Sequence, residues 1–245
     1  MIARVNTPAR RARFRNACRG RWVLDALLPL DQQIFGKSQP GRFYAGPTLA
    51  LELSGRTAWA AGHANPEELA SFLAFCGCGS VILDEGVCPP PTGWHRAETL
   101  TVFGLAPGKM LPLPAVEDAL WSSLTLDAQP PAMTVAQALY PTDPARRDDA
   151  YSELCSKRSR GRAVVWALQQ SGQTVCTVGD YAAANGQAYM ACGQTAEPLR
   201  GKGPCSRRGV PGVPLRPGTG AFLHPPRLCK AGGVCTFCRA VSRTI

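Results

Sequence analysis

The 245-residue chain is 45% hydrophobic and 18% charged, which excludes a disordered polymer and leaves room for one large core or two small ones. Its formal charge of +10 sits at the ends: residues 1–22 hold seven arginines and no acid, residues 198–245 hold nine Lys or Arg and no acid, and between them 11 bases meet all 17 acids. No cationic stripe interleaved with stacking aromatics is visible, so nucleic acid is not expected as a partner, and no run nears the ~18 apolar residues of a membrane span.

The amino-terminal stretch has no apolar core of the secretory kind. Thr7-Pro8 reads as an N-cap followed by proline at the first helical position. The helix it opens runs to about Ile34, interrupted at Gly20 and Pro29, with Leu24, Leu27 and Leu28 on one face and a stop at Gly36. Thr48–Leu53 and Arg56–Ala61 predict a hairpin around Ser54-Gly55. Asn65-Pro66-Glu67-Glu68 opens a second helix, with Leu69, Phe72, Leu73 and Cys76 as its buried stripe. Short strands follow at Gly79–Leu83 and Glu98–Phe103, separated by the breaker Pro89-Pro90-Pro91. The stretch from Ala106 to Pro131 is rich in proline, with Val116–Leu124 as a helix candidate and a domain boundary placed near residue 125.

Beyond the boundary, Thr134 is expected to cap a short helix ending at Tyr140-Pro141, and Asp143-Pro144 to start another reaching Lys157. Three antiparallel strands come next: Arg162–Gln169, Thr174–Tyr181 and Gln187–Thr195. Gln170-Ser171-Gly172 joins the first two and Asn185-Gly186 the last two. The third strand leads through Thr195 and Pro198 into Arg200-Gly201-Lys202-Gly203. A basic, glycine-bearing turn leaving a strand can hold a phosphate through its amides and its cations.

This segment resembles the acyl-CoA pyrophosphate loop of the GNAT acetyltransferase superfamily, whose pattern is Arg/Gln-x-x-Gly-x-Gly/Ala. Arg200 and Gly203 match it, and Cys205 stands where Gly or Ala is usual. Helix, helix, three antiparallel strands and a basic loop is the family's element order, covered here by roughly residues 130–203. The resemblance implies an α+β fold, a mostly antiparallel sheet flanked by helices. The helix, hairpin, helix, strand order of the first half resembles the degenerate GNAT-like domain of tandem bacterial members. The expected domains are therefore 1–125, degenerate, and 126–245, an acetyltransferase domain whose residues 204–245 form an irregular tail.

The resemblance further implies acetyl-CoA as co-substrate and a small-molecule or peptide amine as acceptor. Gly193, Gln194 and Thr195 would bond the pantetheine arm, and Arg200, Gly201, Lys202, Gly203 and Cys205 would hold the diphosphate. No catalytic acid or base is assigned, because no tyrosine follows Tyr189 and no carboxylate side chain follows Glu197. Glu197, before Pro198, reads as an exposed loop acid.

After Gly203 the family's long helix cannot form through Pro211, Pro214 and Pro217, each costing roughly 3 kcal/mol in a helix interior. That abrupt break is compatible with an out-of-frame reading of an acetyltransferase sequence from about Pro204 onward. A catalytically inactive GNAT-like module therefore stays open as the alternative. His224, Cys229, Cys235 and Cys238 present one CxxC with irregular partners, and no metal is expected. His63 and His95 read as surface histidines. Eleven scattered cysteines, an odd number, point to a reducing compartment, the cytoplasm. Oligomeric state is not legible.

Overall fold

The computed structural model describes residues 1–21, 23–84, 88–105, 118–182, 188–202, 220–224 and 235–242. In chain order the elements are β1 (Ala3–Arg4), α1 (Pro8–Cys18), α2 (Val23–Phe35), β2 (Phe43–Ala45), β3 (Leu49–Ser54), β4 (Thr57–Gly62), α3 (Pro66–Phe75), β5 (Ser80–Asp84) and β6 (His95–Leu105). Next come α4 (Asp118–Ser122), β7 (Leu124–Asp127), α5 (Ala132–Leu139), α6 (Pro144–Arg158), β8 (Ala163–Gln170), β9 (Gln173–Ala182) and β10 (Ala188–Thr195). A 3-10 turn at Glu197–Leu199 precedes β11 (Gly220–His224) and β12 (Cys235–Ser242). Two compact units result: Met1–Gly104 with Ala221–Ile245, and Leu105–Ala182 with Ala188–Gly220. Among the described residues no helix is long and apolar enough to cross a membrane.

In the first unit, β1 to β4 pair antiparallel in sequence order, while β5 pairs parallel with β4, Thr57 opposite Ser80 through Ala60 opposite Leu83. β12 lies antiparallel to both β5 and β6, with Cys238 opposite Asp84 on one side and Leu100 on the other. Within residues 204–245, read from the sequence as an irregular tail, Gly220–His224 and Cys235–Ser242 are thus strands. CTFCRAVS is rich enough in β-formers to take a ladder, a tendency hidden by the Gly and Pro around it.

The apolar faces of β3, β4 and β5 close a core with α3 around Leu49, Leu51, Ala58, Ala60, Leu69, Leu73, Val81 and Leu83. Asn65 caps α3 as its residue type demands, accepting from the amides of Glu67 (2.9 Å) and Glu68 (3.1 Å). The interruption expected at Gly20 separates two helices, α1 ending at Cys18 and α2 beginning at Val23. Pro29, the other expected interruption, lies inside α2 between the buried Leu28 and Leu30, where burial of the apolar face outweighs the lost backbone bond.

α2 is tied to β3 by Arg42, whose Nε donates to Glu52 Oε1 at 2.7 Å and whose Nη2 stands 3.4 Å from Asp31 Oδ2. The guanidinium also lies 4.6 Å from the Phe35 ring centroid. Glu52 is 1% and Asp31 3% exposed.

In the second unit β7, β8, β9 and β10 form an antiparallel meander. Gln170 pairs with Gln173, so Ser171 (φ 50°) and Gly172 (φ 78°) make a two-residue turn with both central φ values positive, the type matched to strand twist. Asp143 caps α6 through a 3.1 Å bond from the Arg146 amide. Thr134, expected as a cap, is inside α5, which begins at Ala132 after Pro131 without a side-chain cap. Of the Val116–Leu124 helix candidate, Asp118–Ser122 forms α4 and positions 116 and 117 lie outside the described residues; Leu124 to Asp127 pair with Gln170 to Ala167 as β7, a strand too short to show a period. The Asn185-Gly186 turn lies outside the described residues.

Replacing Arg42 by alanine leaves two buried carboxylates facing each other across α2 and β3. The expected loss is about 3–5 kcal/mol of unfolding free energy, read from urea melts at neutral pH.

Candidate functional site

The second unit carries an irregularity in the one strand that leads to the basic turn. Ala191 of β10 faces Gly179 of β9, and Gln194 faces Thr177. β10 therefore advances three residues while β9 advances two, and Cys192 with Gly193 together oppose Val178. That is a β-bulge, which leaves backbone groups outside the ladder and re-aims the strand. Cys192 takes φ 55°, a left-handed value that costs a non-glycine residue about 1–3 kcal/mol. Gly179 stands beside it because a Cβ there would lie 2.7 Å from Val165 Cγ2 and 2.9 Å from the Val164 carbonyl oxygen.

Two contacts hold the bulge. Thr177 Oγ1 donates to the Cys192 carbonyl at 2.7 Å, and the Tyr181 hydroxyl is 3.1 Å from Cys192 Sγ. Tyr181 pairs across the ladder with Tyr189, ring edge to ring face with centroids 5.3 Å apart. Lys157, from the last turn of α6, is wholly buried against both rings; its Nζ is 4.3 Å from the Tyr181 centroid and donates to Tyr189 Oη at 3.1 Å. Glu153, one helical turn earlier, forms its ion pair. Burial holds the Tyr181 hydroxyl protonated well above the ordinary phenol range, with the Cys192 thiol adding to the effect. Burial likewise raises the Cys192 thiol, against the pull of the Tyr181 hydrogen bond.

β10 ends at Thr195, and the chain turns through Glu197–Leu199 into an exposed Arg200-Gly201-Lys202. Gly201 has φ 77°. The amides of Leu199, Arg200 and Lys202 donate to Ala196, Glu197 and Leu199 carbonyls within the turn. Arg200 Nε folds back to the Thr195 carbonyl at 3.1 Å. In this arrangement the turn presents two cations more than a row of amides. Glu197 is exposed at the start of the turn.

The structure therefore brings Gly193, Gln194 and Thr195 onto the bulged end of β10, and Arg200, Gly201 and Lys202 onto the turn that follows. Gly203 and Cys205 lie outside the described residues. Of the zinc candidates, His224 ends β11, Cys235 and Cys238 lie on β12, and Cys229 is outside the described residues.

Cys192, Tyr181, Tyr189 and Lys157 were not singled out by sequence reasoning. Two signals were available. Lys157 recurs three residues after Leu154, at core spacing on α6, and the two tyrosines stand equally far from the middle of the β9–β10 connection.

In the first unit, the turn between β4 and α3 is built differently. Asn65 occupies the amides of Glu67 and Glu68, and both acids stand in the first turn of the helix. A cavity of about 310 Å³ beside it is lined by Thr48, His63, Asn65 and Glu68, among others, and Glu68 Oε1 accepts from the Ile2 amide at 2.9 Å. His63 is exposed, with its amide bonded to the Thr48 carbonyl.

Cys192→Val adds a β-branch where φ is already left-handed. It is expected to lower unfolding free energy by about 1–3 kcal/mol in denaturant melts, and Cys192→Gly by less.

No protein-family model and no curated protein sequence matches the chain. Solved structures do. A tandem GNAT protein from the clavulanic acid biosynthesis pathway superposes with TM-score 0.59 at 12% identity, over 99% of this chain and 98% of that one. A GNAT-family protein from Novosphingobium aromaticivorans gives 0.54 at 15% identity, over 91% and 99%. A GCN5-related N-acetyltransferase from Kribbella flavida gives 0.51 at 14% identity, over 87% and 93%.

Proposed function

We propose that this chain, whose fold is that of the GNAT superfamily, is an N-acetyltransferase that moves an acetyl group from acetyl-CoA to a primary amine of a small molecule or peptide. The observation that carries the reading is the bulge at Cys192–Gly193 one strand-end away from the Arg200–Lys202 turn. Each part answers a chemical need of an acyl-CoA. An extended pantetheine arm needs strand-like backbone partners, supplied by Gly193, Gln194 and Thr195 on β10. A thioester carbonyl under attack needs a donor where negative charge develops, and an amide at the bulge is such a donor because no residue of β9 claims both Cys192 and Gly193. A diphosphate needs cations, supplied by Arg200 and Lys202, and Gly201, Gly203 and Cys205 are the other positions of the sequence pattern assigned to it.

The co-substrate brings the activated acyl group; the chain's own share is to bind it, orient it and polarise it. Tyr181, kept protonated, holds its proton beside the bulge and the Cys192 sulfur. Domains divide the work in this reading: 126–245 is the acetyltransferase domain and 1–125 the degenerate one. In the latter, Asn65 has taken the helix amides and Glu67 and Glu68 would repel a phosphate. The cytoplasm, where acetyl-CoA and free thiols coexist, is the proposed location.

A second reading, an inactive module that keeps the fold, is favoured by one feature: no carboxylate follows Glu197 and no tyrosine follows Tyr189. Binding and turnover separate the two. CoA at about 100 times its Kd stabilises a one-site protein by roughly 2.7 kcal/mol, which at this size raises Tm by about 5–10 °C. Titration calorimetry should give one CoA per chain. Acetylated product from a panel of primary amines, read by mass spectrometry, marks an enzyme; binding without product marks the module, and no Tm shift at millimolar CoA removes the acetyltransferase reading.

Arg200→Ala with Lys202→Ala should weaken CoA binding by roughly 5- to 30-fold, since each exposed ion pair is worth about 0.5–1 kcal/mol. The penalty should shrink as salt is raised.

A further inference from the structure

We infer that Lys157 and Tyr181 are positioning residues that hold the β10 bulge in its cofactor-binding geometry; the inference rests on the acetyltransferase reading above.

The chain of contacts is continuous. Lys157 is 0% exposed, at the end of α6, with its ammonium over the Tyr181 ring and hydrogen-bonded to Tyr189 Oη. Tyr181 and Tyr189 are direct cross-strand partners packed edge to face. From that pair the Tyr181 hydroxyl reaches Cys192 Sγ, three residues beyond Tyr189 on the same strand. The Cys192 carbonyl is held from the other side by Thr177. A non-glycine residue in left-handed backbone persists only where its surroundings over-determine it, and these contacts are what does so.

The fold alone does not call for the arrangement. A glycine at position 192 would adopt the same φ with no brace. An apolar side chain of similar length at position 157 would fill the space without desolvating an ammonium. The polar brace instead adds directional contacts where the β9–β10 ladder is interrupted. Gly193, next along, is exposed, with nothing within 4 Å of where its Cβ would be. Gly193 follows Cys192 directly, so the backbone angles of Cys192 set the direction of the peptide between them.

The test uses the full chain and CoA itself. Tyr181→Phe removes only the hydroxyl that touches Cys192. It should weaken CoA binding by about five- to tenfold with Tm nearly unchanged, and Lys157→Met should do the same. In a Cys192→Gly background the Tyr181→Phe change should have no effect on CoA affinity, because the contact is already gone. An unchanged Kd in Tyr181→Phe, or an equal loss in both backgrounds, overturns the inference while the function proposed above stands. Absence of CoA binding by the unaltered chain overturns both. Should Lys157→Met not fold, the Tyr181→Phe comparison decides alone.

Discussion

An antiparallel ladder pairs one residue with one residue, and β10 breaks that rule once. Two of its residues, Cys192 and Gly193, share the single place opposite Val178. Of those two, the cysteine carries a left-handed backbone angle, φ 55°. The surroundings answer that constraint. Thr177 meets the displaced carbonyl, and Tyr181 meets the side chain. Behind Tyr181 stand Tyr189 and a lysine with no exposed surface.

The two units differ in the charge they place where a strand ends. In each, a strand runs out into a turn. In the first, Asn65 closes the end of α3 by accepting two amides, and two glutamates follow at once. A capped helix with acids in its first turn is well stabilised and repels phosphate for the same electrostatic reason. In the second, Thr195 is followed by a short turn whose exposed side chains are Arg200 and Lys202. The amides of that turn are largely spent on its own carbonyls, so charge is what it offers. The first unit thus sets two acids beside a capped helix end, and the second sets two cations beside a turn closed on itself.

Much of the fold was legible because its signals are local. Asn65-Pro66 and Asp143-Pro144 start α3 and α6 where their cap chemistry requires. Ser171-Gly172 turns β8 into β9, and the basic turn follows β10 directly. Legibility failed where the deciding partner is remote. Pro29 stays within α2 because burial of that helix outweighs a local breaker. β7 has four residues and owes its existence to pairing with β8 more than 40 positions on. β12 is a strand because β5 and β6 flank it.

By itself, the order of residues determined where helices start, where hairpins turn and where two cations cluster after a strand. Each of these follows from torsional preference and hydrogen bonding within a few residues. Tertiary structure alone decided that β10 carries one extra residue opposite Val178, and that Lys157 lies against the two tyrosine rings. Register is a relation between segments, and burial is a property of everything packed around a side chain. Neither is written in any short stretch of chain.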